Sequence, residues 1–493
     1  MRSADTPEFD NSYARLPARF YTRQEPRSVR APTAIRVNHS LAVDLGFDPS
    51  WLASEQGLAF GAGNFLPNGA DPLASVYAGH QFGGWSSRLG DGRVLLLGEV
   101  IDSKGARYDV QLKGSGQTPY SRGGDGRSPL GPVLREYILS EAMAALGVPT
   151  TRALCATGTG EMVEREERLP GAVLVRVAKS HIRIGTVQYF AARKDEEALQ
   201  LLVEHVIHRH YPDAASAKNP VLALLDCIVA AQARLVAMWQ SLGFIHGVMN
   251  TDNMLLSGET IDYGPCAFME GFDVNAVYSS IDRDGRYAYS NQPTMTHWNL
   301  AQLTQALLPL LDKNEEKALL MGQEVIDSFP GLYMAENQKN MQAKLGLSNE
   351  QSEDRNLIKN LLELLQEHGV DYTLMFRRLS EIANPEQTNR QSVSSFFEIP
   401  GAFASWTERW MLRLREERSG NSVENMLQVN PVYIPRNHLV QEAIENASTS
   451  QNFDTFHALV DILANPFDFD MHAQAFALPA KPEQLVRQTF CGT

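Results

Sequence analysis

The spacing of apolar residues changes along the chain from a strand pattern to a helix pattern near residue 195. Before that point, apolar runs and alternation predict a helix over 129–146 and strands at 94–100, 108–113, 151–155 and 172–178. Beyond it, apolar residues recur every three to four positions and predict helices at 196–211, 220–243, 295–311, 316–329 and 350–382. The pattern therefore predicts an α+β protein with its sheet in the first part and helices in the second.

Composition and charge narrow the class of protein. The net charge of −14 argues against non-specific nucleic-acid binding, which depends on Lys and Arg. The most apolar stretch, 221–239, contains Asp226 and Arg234, so it is predicted to be a buried helix and not a membrane span. Four cysteines without a C-x-x-C pair favour a reducing compartment, and the first 17 residues lack the apolar core of a signal peptide. We therefore expect a cytoplasmic protein with neither a nucleic-acid nor a membrane partner.

Polar residues suited to metal and phosphate chemistry concentrate between residues 246 and 265. Asp252 and Asn253 precede an apolar run at 254–256, and a turn at 257–259 leads through 260–261 to Asp262. This order predicts a hairpin that brings Asn253 and Asp262 to one rim as two oxygen ligands. Mg²⁺ takes one or two protein ligands of this kind and fills its shell with phosphate oxygens and water. The alternative is an Asp-rich loop between two core strands.

The same stretch is similar to the catalytic and metal loops of protein kinases, H-R-D-x-x-x-x-N and D-F-G. His246 and Asn253 fall at the matching positions, and Asp262 begins the sequence Asp-Tyr-Gly. Val248 stands where a kinase has its catalytic Asp, and it cannot accept a proton. Asp252 is the nearby carboxylate that could serve as the base.

A lysine at the end of a predicted strand extends the similarity to kinases. Lys113 follows Asp109 and Gln111 on the polar face of the strand 108–113, which is predicted to be half-buried. Kinases pair such a lysine with a Glu on the following helix and use it to bind ATP phosphates. Glu136 and Glu141 are both on the predicted helix but cannot share one face, and Glu136 is preferred. A solvated lysine and surface acids are the alternative.

Glycine-rich segments flank this lysine strand on both sides. Glycine lets backbone N–H groups approach an anion closely, so both segments are candidates for phosphate contacts, and a loop with no ligand is as good an interpretation of each. The candidate residues are Gly90, Gly92, Arg93, Asp125 and Gly126.

Two arginines lie in or beside an apolar strand. Arg176 interrupts the run 172–178, and Arg183 follows seven residues later. A charge in such a strand is costly unless it is paired, and a guanidinium matches a phosphate with two hydrogen bonds. Phosphate binding and a buried salt bridge to Glu161 or Glu164 are equally good interpretations of the sequence.

Taken together, these segments resemble the selenoprotein O family over nearly the whole chain. The resemblance rests on YAGHQFG at 77–83, LGDGR at 89–93, QLKGSGQTPYSR at 111–122, IDYGP at 261–265 and YIPRNH at 433–438. It implies a protein-kinase-like bilobal fold in which an N-lobe with a β-sheet and one helix spans 72–195 and a helical C-lobe spans 196–395. Extensions at 1–71 and 396–493 complete this expected organisation.

The resemblance also implies an activity, the transfer of AMP from ATP to Ser, Thr or Tyr hydroxyls of proteins. It implies a divalent metal, Mg²⁺ or Mn²⁺, the release of pyrophosphate, and an ATP molecule that is flipped relative to kinases. By resemblance, Lys113 and Glu136 form an ion pair, Asn253 and Asp262 hold the metal, and Asp252 accepts the proton. The implied contacts to ATP come from Gly90, Gly92, Arg93, Lys113, Asp125, Gly126, Arg176, Arg183 and Asp262.

Other functions remain open at this point. An ordinary kinase could use Asp252 in place of the missing Asp, and a pseudokinase scaffold could bind nucleotide without catalysis. Val248 and the two arginines weigh against the kinase, and the intact Lys113 and Asp262 weigh against the scaffold. Cys491 stands where animal members of the family carry selenocysteine, and a disulfide between it and Cys266 is a further hypothesis.

Overall fold

A computed structural model describes residues 6–384, 392–417 and 421–490. Cys491, and with it the disulfide hypothesis, lies outside the described residues. The fold is α+β, as the sequence predicts, with one large antiparallel sheet and many helices. The strands of the described residues are β1 (Tyr21–Arg23), β2 (Thr33–Val37), β3 (Leu73–Ser75), β4 (Gly79–Gln81), β5 (Gly84–Ser86), β6 (Val94–Ile101), β7 (Arg107–Lys113), β8 (Ser128–Pro129), β9 (Arg152–Glu164), β10 (Arg168–Ala178), β11 (Phe244–Ile245) and β12 (Ala267–Phe268).

The large sheet has the strand order β1-β3-β6-β7-β10-β9-β2, and β8 pairs with β10. The two edge strands, β1 and β2, both come from the start of the chain. The β6–β7 hairpin turns at Asp102, whose Oδ1 accepts hydrogen bonds from the backbone N–H groups of Lys104 and Ala106. The predicted strands are confirmed, although β9 and β10 extend well beyond the predicted 151–155 and 172–178.

The prediction that the β7 strand is half-buried is wrong, because both of its faces are covered. Helices α1 (His39–Leu45), α2 (Pro49–Leu52) and α3 (Glu55–Ala62) pack on the apolar face that carries Val110 and Leu112. On the other face Asp109, Gln111 and Lys113 are also buried. Asp109, Lys113 and the Gln111 side-chain oxygen have partners within the protein, and Gln111 Nε2 has none among the described residues, so Lys113 lies in a buried charge cluster.

The predicted helices are confirmed, although the helix predicted at 316–329 continues to Lys344, and the structure adds helices that were not predicted. The helices that follow β8 are α4 (Leu130–Ala145), α5 (Ile184–Ala191), α6 (Glu196–His210), α7 (Pro220–Leu242), α8 (Gln292–Leu311), α9 (Glu315–Lys344), α10 (Asp354–His368), α11 (Tyr372–Ala383), α12 (Ala404–Arg415), α13 (Asn421–Val429), α14 (Asn437–Ser450) and α15 (Asp454–Leu463). The predicted helix at 350–382 is two helices. Gly369 ends α10 in the left-handed conformation, and Asp371 caps α11 by accepting a hydrogen bond from Leu374 N–H.

Helix α7 is long and apolar enough to cross a membrane by length and composition alone. More than half of its most apolar window is buried within the protein, and it packs against α8 and α9. Core helices of globular proteins commonly meet the same criterion, and the packing agrees with the predicted buried helix.

The last part of the chain packs onto the helix that follows the glycine-rich segments. Helices α14 and α15 lie against α4. Arg436, in the segment 433–438, is fully buried, and its Nη1 lies 2.9 Å from Asp371 Oδ2. Near the end of the described chain, Thr489 Oγ1 donates a 2.6 Å hydrogen bond to the Pro265 carbonyl. The C-terminal residues therefore contact the segment that follows Asp262.

Candidate active site

A cavity of about 490 Å³ lies between the large sheet, α4 and the loop 248–264. Every site residue predicted from the sequence lines it: Gly90, Gly92, Arg93, Lys113, Asp125, Gly126, Glu136, Arg176, Arg183, Asp252, Asn253 and Asp262. Larger cavities of about 720 and 650 Å³ lie elsewhere, beside α15 and beside α10. The size of a cavity alone would not identify the smallest of the three as the candidate site. Buried charged groups converge in this cavity, and that convergence identifies it.

Two cations and two carboxylates form the centre of this cavity. Lys113 Nζ donates to Glu136 Oε2 and lies 3.2 Å from Asp262 Oδ1. Arg176 Nη1 lies 3.0 Å from Glu136 Oε1 and 2.9 Å from Asp262 Oδ1. Burial alone would raise the pKa of Asp262, but the charges of Lys113, Arg176 and Arg183 outweigh it and hold that pKa well below its usual value. Asp262 is therefore ionised at any physiological pH.

The helical partner of Lys113 is Glu136, and Glu141 has a different role. Burial would raise the pKa of Glu136, and the neighbouring charges of Lys113 and Arg176 lower it instead. Glu141 accepts two hydrogen bonds from Arg152, at 3.0 and 2.7 Å. The five-residue spacing on α4 thus directs the two carboxylates to different surroundings.

Arg183 contacts the loop 248–264 at both Asp252 and Asp262. Its Nη1 donates a 2.7 Å hydrogen bond to the Asp252 carbonyl and lies 3.8 Å from Asp262 Oδ2. Its guanidinium carbon lies 4.4 Å from the centre of the Tyr77 ring. The arginines of this strand region therefore point to the cavity.

The structural alternative for these arginines, a salt bridge to Glu161 or Glu164, is wrong. Glu161 lies 3.7 Å from Arg127 and 3.8 Å from Arg30, and Glu164 pairs with Arg168 at 2.9 Å. Both acids lie near the end of β9, whereas Arg176 pairs with Ala153 near the start of that strand.

The predicted hairpin between Asn253 and Asp262 is also wrong. Residues 251–253 form a single 3₁₀ turn, after which Leu255 pairs with Arg183 and Thr260 with Thr150. The two short segments pair instead with residues 182–184, after β10, and residues 149–151, before β9, which supply their backbone hydrogen bonds. Asp262 nevertheless reaches the cavity wall, in a left-handed conformation with φ of 61°.

Asp252 is a buried carboxylate at the cavity wall. Its Oδ2 accepts a 3.1 Å hydrogen bond from Gln81 Nε2, and its Oδ1 has no hydrogen-bond partner among the described residues. Burial raises the pKa of Asp252 to about 6, although the charge of Arg183 acts in the opposite direction. Near neutral pH this carboxylate is largely ionised and can accept a proton.

Asn253 and Asp262 form the part of the wall suited to a divalent cation. Asn253 Nδ2 donates a 3.0 Å hydrogen bond to the Val248 carbonyl, which leaves the amide oxygen as the end available to a ligand. Within the described part of the chain, no three His, Cys, Asp or Glu side chains converge into a complete metal site. One carboxylate and one amide oxygen fit Mg²⁺ or Mn²⁺ when phosphate oxygens and water complete the shell.

The glycines of the cavity allow close approach of the backbone. Gly90 has φ of +87°, and a Cβ there would lie 2.5 Å from the ring of Tyr120. A side chain at Gly126, with φ of +67°, would collide with the Gly116 backbone. Asp125, in contrast, is held at the rim by Arg165 at 3.0 Å. The rim therefore carries both backbone without side chains, which a ligand can approach closely, and a carboxylate that is already paired.

Sequence reasoning gave no chemical role to three residues that the structure brings to this cavity. Gln81 contacts Asp252, Tyr77 lies under Arg183, and Arg165 holds Asp125. No local spacing reveals the first of these contacts, since Gln81 and Asp252 are 171 residues apart. Only the fold brings them together.

Comparison with known proteins identifies the family of the chain. A family model described as protein adenylyltransferase SelO matches residues 4–464. A protein nucleotidyltransferase YdiU of Rhizobium etli is 52% identical over 487 residues, which cover 98% of this chain and 97% of that protein. The protein of the same name from Nitrobacter winogradskyi is 51% identical over 487 residues and is covered to 96%. The match extends over the sheet, the cavity and the helices alike, and the chain therefore belongs to the SelO family and is a protein nucleotidyltransferase.

Proposed function

We propose that the chain transfers AMP from ATP to Ser, Thr or Tyr hydroxyls of proteins, with ATP bound in the flipped orientation. The observation that carries this proposal is the position of the cations. Arg176, Arg183 and Lys113 all lie within 4 Å of Asp262 in the cavity, and Asp252 lines the wall of the same cavity.

The proposed orientation follows from charge. Three buried cations suit the β- and γ-phosphates, which carry most of the charge of the triphosphate, and the α-phosphate is then left toward Asp252. The acceptor hydroxyl oxygen forms a bond to the α-phosphorus, and the bond from that phosphorus to the α,β-bridging oxygen breaks. Pyrophosphate leaves with the electron pair, and the hydroxyl proton goes to the Asp252 carboxylate.

Asn253 and Asp262 would hold the divalent ion in this proposal, Mg²⁺ or Mn²⁺. When bound, the ion supplies positive charge to the phosphate oxygens. Glu136 has a separate role, because it orients Lys113 and Arg176 from α4 and keeps both cations in place. Backbone N–H groups around Gly90, Gly92 and Gly126, with Arg93 at the rim, would contact the rest of the nucleotide.

We further propose a kinase-like bilobal organisation, with an N-lobe at 72–195, a C-lobe at 196–395 and extensions at 1–71 and 396–493. Support comes from the pairing of a strand lysine with a helix glutamate, and from the metal-ligand pair after α7. Residues 21–37 add two edge strands to the N-lobe sheet. The proposed setting is the cytoplasm, with ATP and acceptor proteins as partners and without a nucleic-acid or membrane partner.

A labelling experiment tests the proposed reaction against an ordinary kinase. The purified protein is incubated with an acceptor protein, Mg²⁺ or Mn²⁺, and ATP that is labelled on either the α- or the γ-phosphate. Label from the α-phosphate alone is expected on protein, with release of pyrophosphate. Label from the γ-phosphate alone would show a kinase, and no label with intact ATP binding would favour a nucleotide-binding scaffold.

A further inference from the structure

The segment 79–82 is bound to the loop 250–252 by three hydrogen bonds. His80 N–H donates to Thr251 Oγ1 at 2.7 Å, and Gln81 Nε2 donates to Asp252 Oδ2 at 3.1 Å. Phe82 N–H donates to Asn250 Oδ1 at 2.9 Å. Three consecutive residues of the β4–β5 hairpin thus contact three consecutive residues around the candidate base.

The packing around this contact leaves the Asp252 side chain little freedom. A Cβ on Gly79 would lie 2.8 Å from Asp252 Oδ1, and one on Gly185 would collide with the Ala78 carbonyl. The hairpin also carries a left-handed residue, Phe82 with φ of 50°, which is uncommon outside glycine and costs conformational energy. Because the hairpin adopts this conformation, both Gln81 and Phe82 N–H reach the loop.

The hydrogen bonds to Asp252 are unequal on its two oxygens. Arg183 binds its backbone carbonyl and not its carboxylate, whereas Gln81 donates to Oδ2. Oδ1 is buried and receives no hydrogen bond from the described residues. A carboxylate held through one oxygen keeps a fixed orientation at the cavity wall, which proton transfer to it from a bound hydroxyl requires.

We propose that Gln81 is a positioning residue for the transfer reaction, which holds the Asp252 carboxylate through Oδ2 in the orientation from which it accepts the proton of the acceptor hydroxyl. This inference rests on the proposed function. Gln81 acts on turnover through Asp252, and the affinity for ATP is expected to be unchanged, because its side-chain amide donates to Asp252 and not to the groups around Asp262.

The first test separates turnover from nucleotide binding. Gln81→Ala is expected to lower kcat for AMP transfer roughly 10- to 100-fold, part of the roughly 10²–10⁴ that a positioned base contributes, with KM and Kd for ATP unchanged. Gln81→Glu keeps the size of the side chain but removes the amide donor, so it is expected to lose turnover as well. It also carries the test should Gln81→Ala fail to fold. Thermal melting of each variant checks the fold.

A matched control is available on the surface of α9. Gln323 Nε2 donates a 2.7 Å hydrogen bond to the carboxylate of Asp327, four residues later on the same helix. This is an amide-to-carboxylate hydrogen bond like that of Gln81, but far from the cavity residues in the sequence and exposed. Gln323→Ala is expected to keep the kcat of the wild-type protein. Unchanged kcat in Gln81→Ala or in Gln81→Glu would overturn the inference, as would an equal loss in Gln323→Ala.

A double-variant cycle separates positioning from a general structural effect. In the background of Asp252→Ala, adding Gln81→Ala is expected to change the residual rate less than twofold, because the group that Gln81 holds is gone. Loss of the full 10- to 100-fold on top of Asp252→Ala would overturn the inference. Failure of the wild-type protein to transfer AMP to any protein is a different result, which contradicts the proposed function itself.

Discussion

Arg176 Nη1 lies between Asp262 Oδ1, at 2.9 Å, and Glu136 Oε1, at 3.0 Å. A single guanidinium nitrogen therefore joins the carboxylate of the loop to the carboxylate of α4. Any cation that binds Asp262 competes with Arg176, and any triphosphate that binds Arg176 releases Asp262. Binding of metal and binding of nucleotide are therefore expected to favour each other, and the coupling free energy acts equally in both directions.

Replacement of Arg176 tests this relationship. Arg176→Ala is expected to weaken ATP binding by about 1.5–3 kcal/mol, the range for a charge-assisted hydrogen bond, because the charge that binds the phosphates is gone. Isothermal titration calorimetry measures the change. Arg168→Ala is the control, since Arg168 lies on the same strand but is exposed and pairs with Glu164. Equal ATP affinity in both variants would contradict the phosphate-binding role.

Replacement of Asp252 tests the base. Asp252→Ala is expected to reduce turnover by a factor of roughly 10²–10⁴ while ATP binding stays nearly intact, because a base acts on the acceptor hydroxyl. Turnover is measured as incorporation of labelled AMP and binding by calorimetry. Loss of ATP binding together with turnover would make Asp252 a metal ligand instead.

Replacement of Asp262 tests the metal and phosphate centre. Asp262→Ala is expected to abolish transfer at every concentration of Mg²⁺ or Mn²⁺, because the other carboxylate on these cations, Glu136, is engaged by Lys113 and Arg176 from α4 and does not replace it beside Asn253. The same labelling assay over a metal titration measures this effect. Asp312→Ala, at an exposed ion pair with Lys317, is the control. Recovery of the activity at high metal concentration would show that Asp262 is one dispensable ligand among several.

A buried glutamate gives the protein a predicted pH dependence of stability. Burial raises the pKa of Glu259 from 4.5 to about 7, although its carboxylate accepts hydrogen bonds from Ser257 Oγ and Lys179 N–H. The folded state then binds more protons than the unfolded state between these values. The stabilisation is complete below pH 4.5 and is lost as the pH rises through about 7.

Glu259→Gln mimics the protonated side chain and should remove this dependence. The variant is expected to be more stable than the wild-type protein by roughly 2–3 kcal/mol at pH 8, with a smaller difference at pH 5. Urea unfolding at both pH values, followed by Trp fluorescence, measures the difference. Glu363→Gln, at an exposed helix position, should show no such trend. A constant difference between pH 5 and pH 8 would contradict the raised pKa.

Local patterns in the sequence were sufficient to predict most of the elements. The strands around Lys113 and the helix that carries Glu136 follow from apolar spacing and turn residues. The division of 350–382 at Gly369 was missed, because apolar spacing continues across a short turn and only the left-handed residue interrupts it. Family motifs, and not periodicity, led to the joint assignment of the cavity residues.

Contacts between distant segments could not be predicted. The segments 254–256 and 260–261 have the composition of the two strands of a hairpin, but each pairs with another segment instead, at Arg183 and Thr150 respectively. Burial of the polar face of β7 depends on α4 and α6, which the strand itself does not specify. The contact of Gln81 with Asp252 belongs to the same class, since nothing local to either residue requires it.

The order of the strands sets a minimum length for the connection between β1 and β2. Strands β1 and β2 lie at opposite edges of the sheet, yet only the nine residues 24–32 connect them. Six strand spacings of about 4.8 Å amount to roughly 29 Å, and ten steps of extended chain reach about 33–36 Å. This connection has almost no slack. Removal of two residues from it would detach one edge strand and leave unpaired backbone on that side, whereas added residues could loop out without strain.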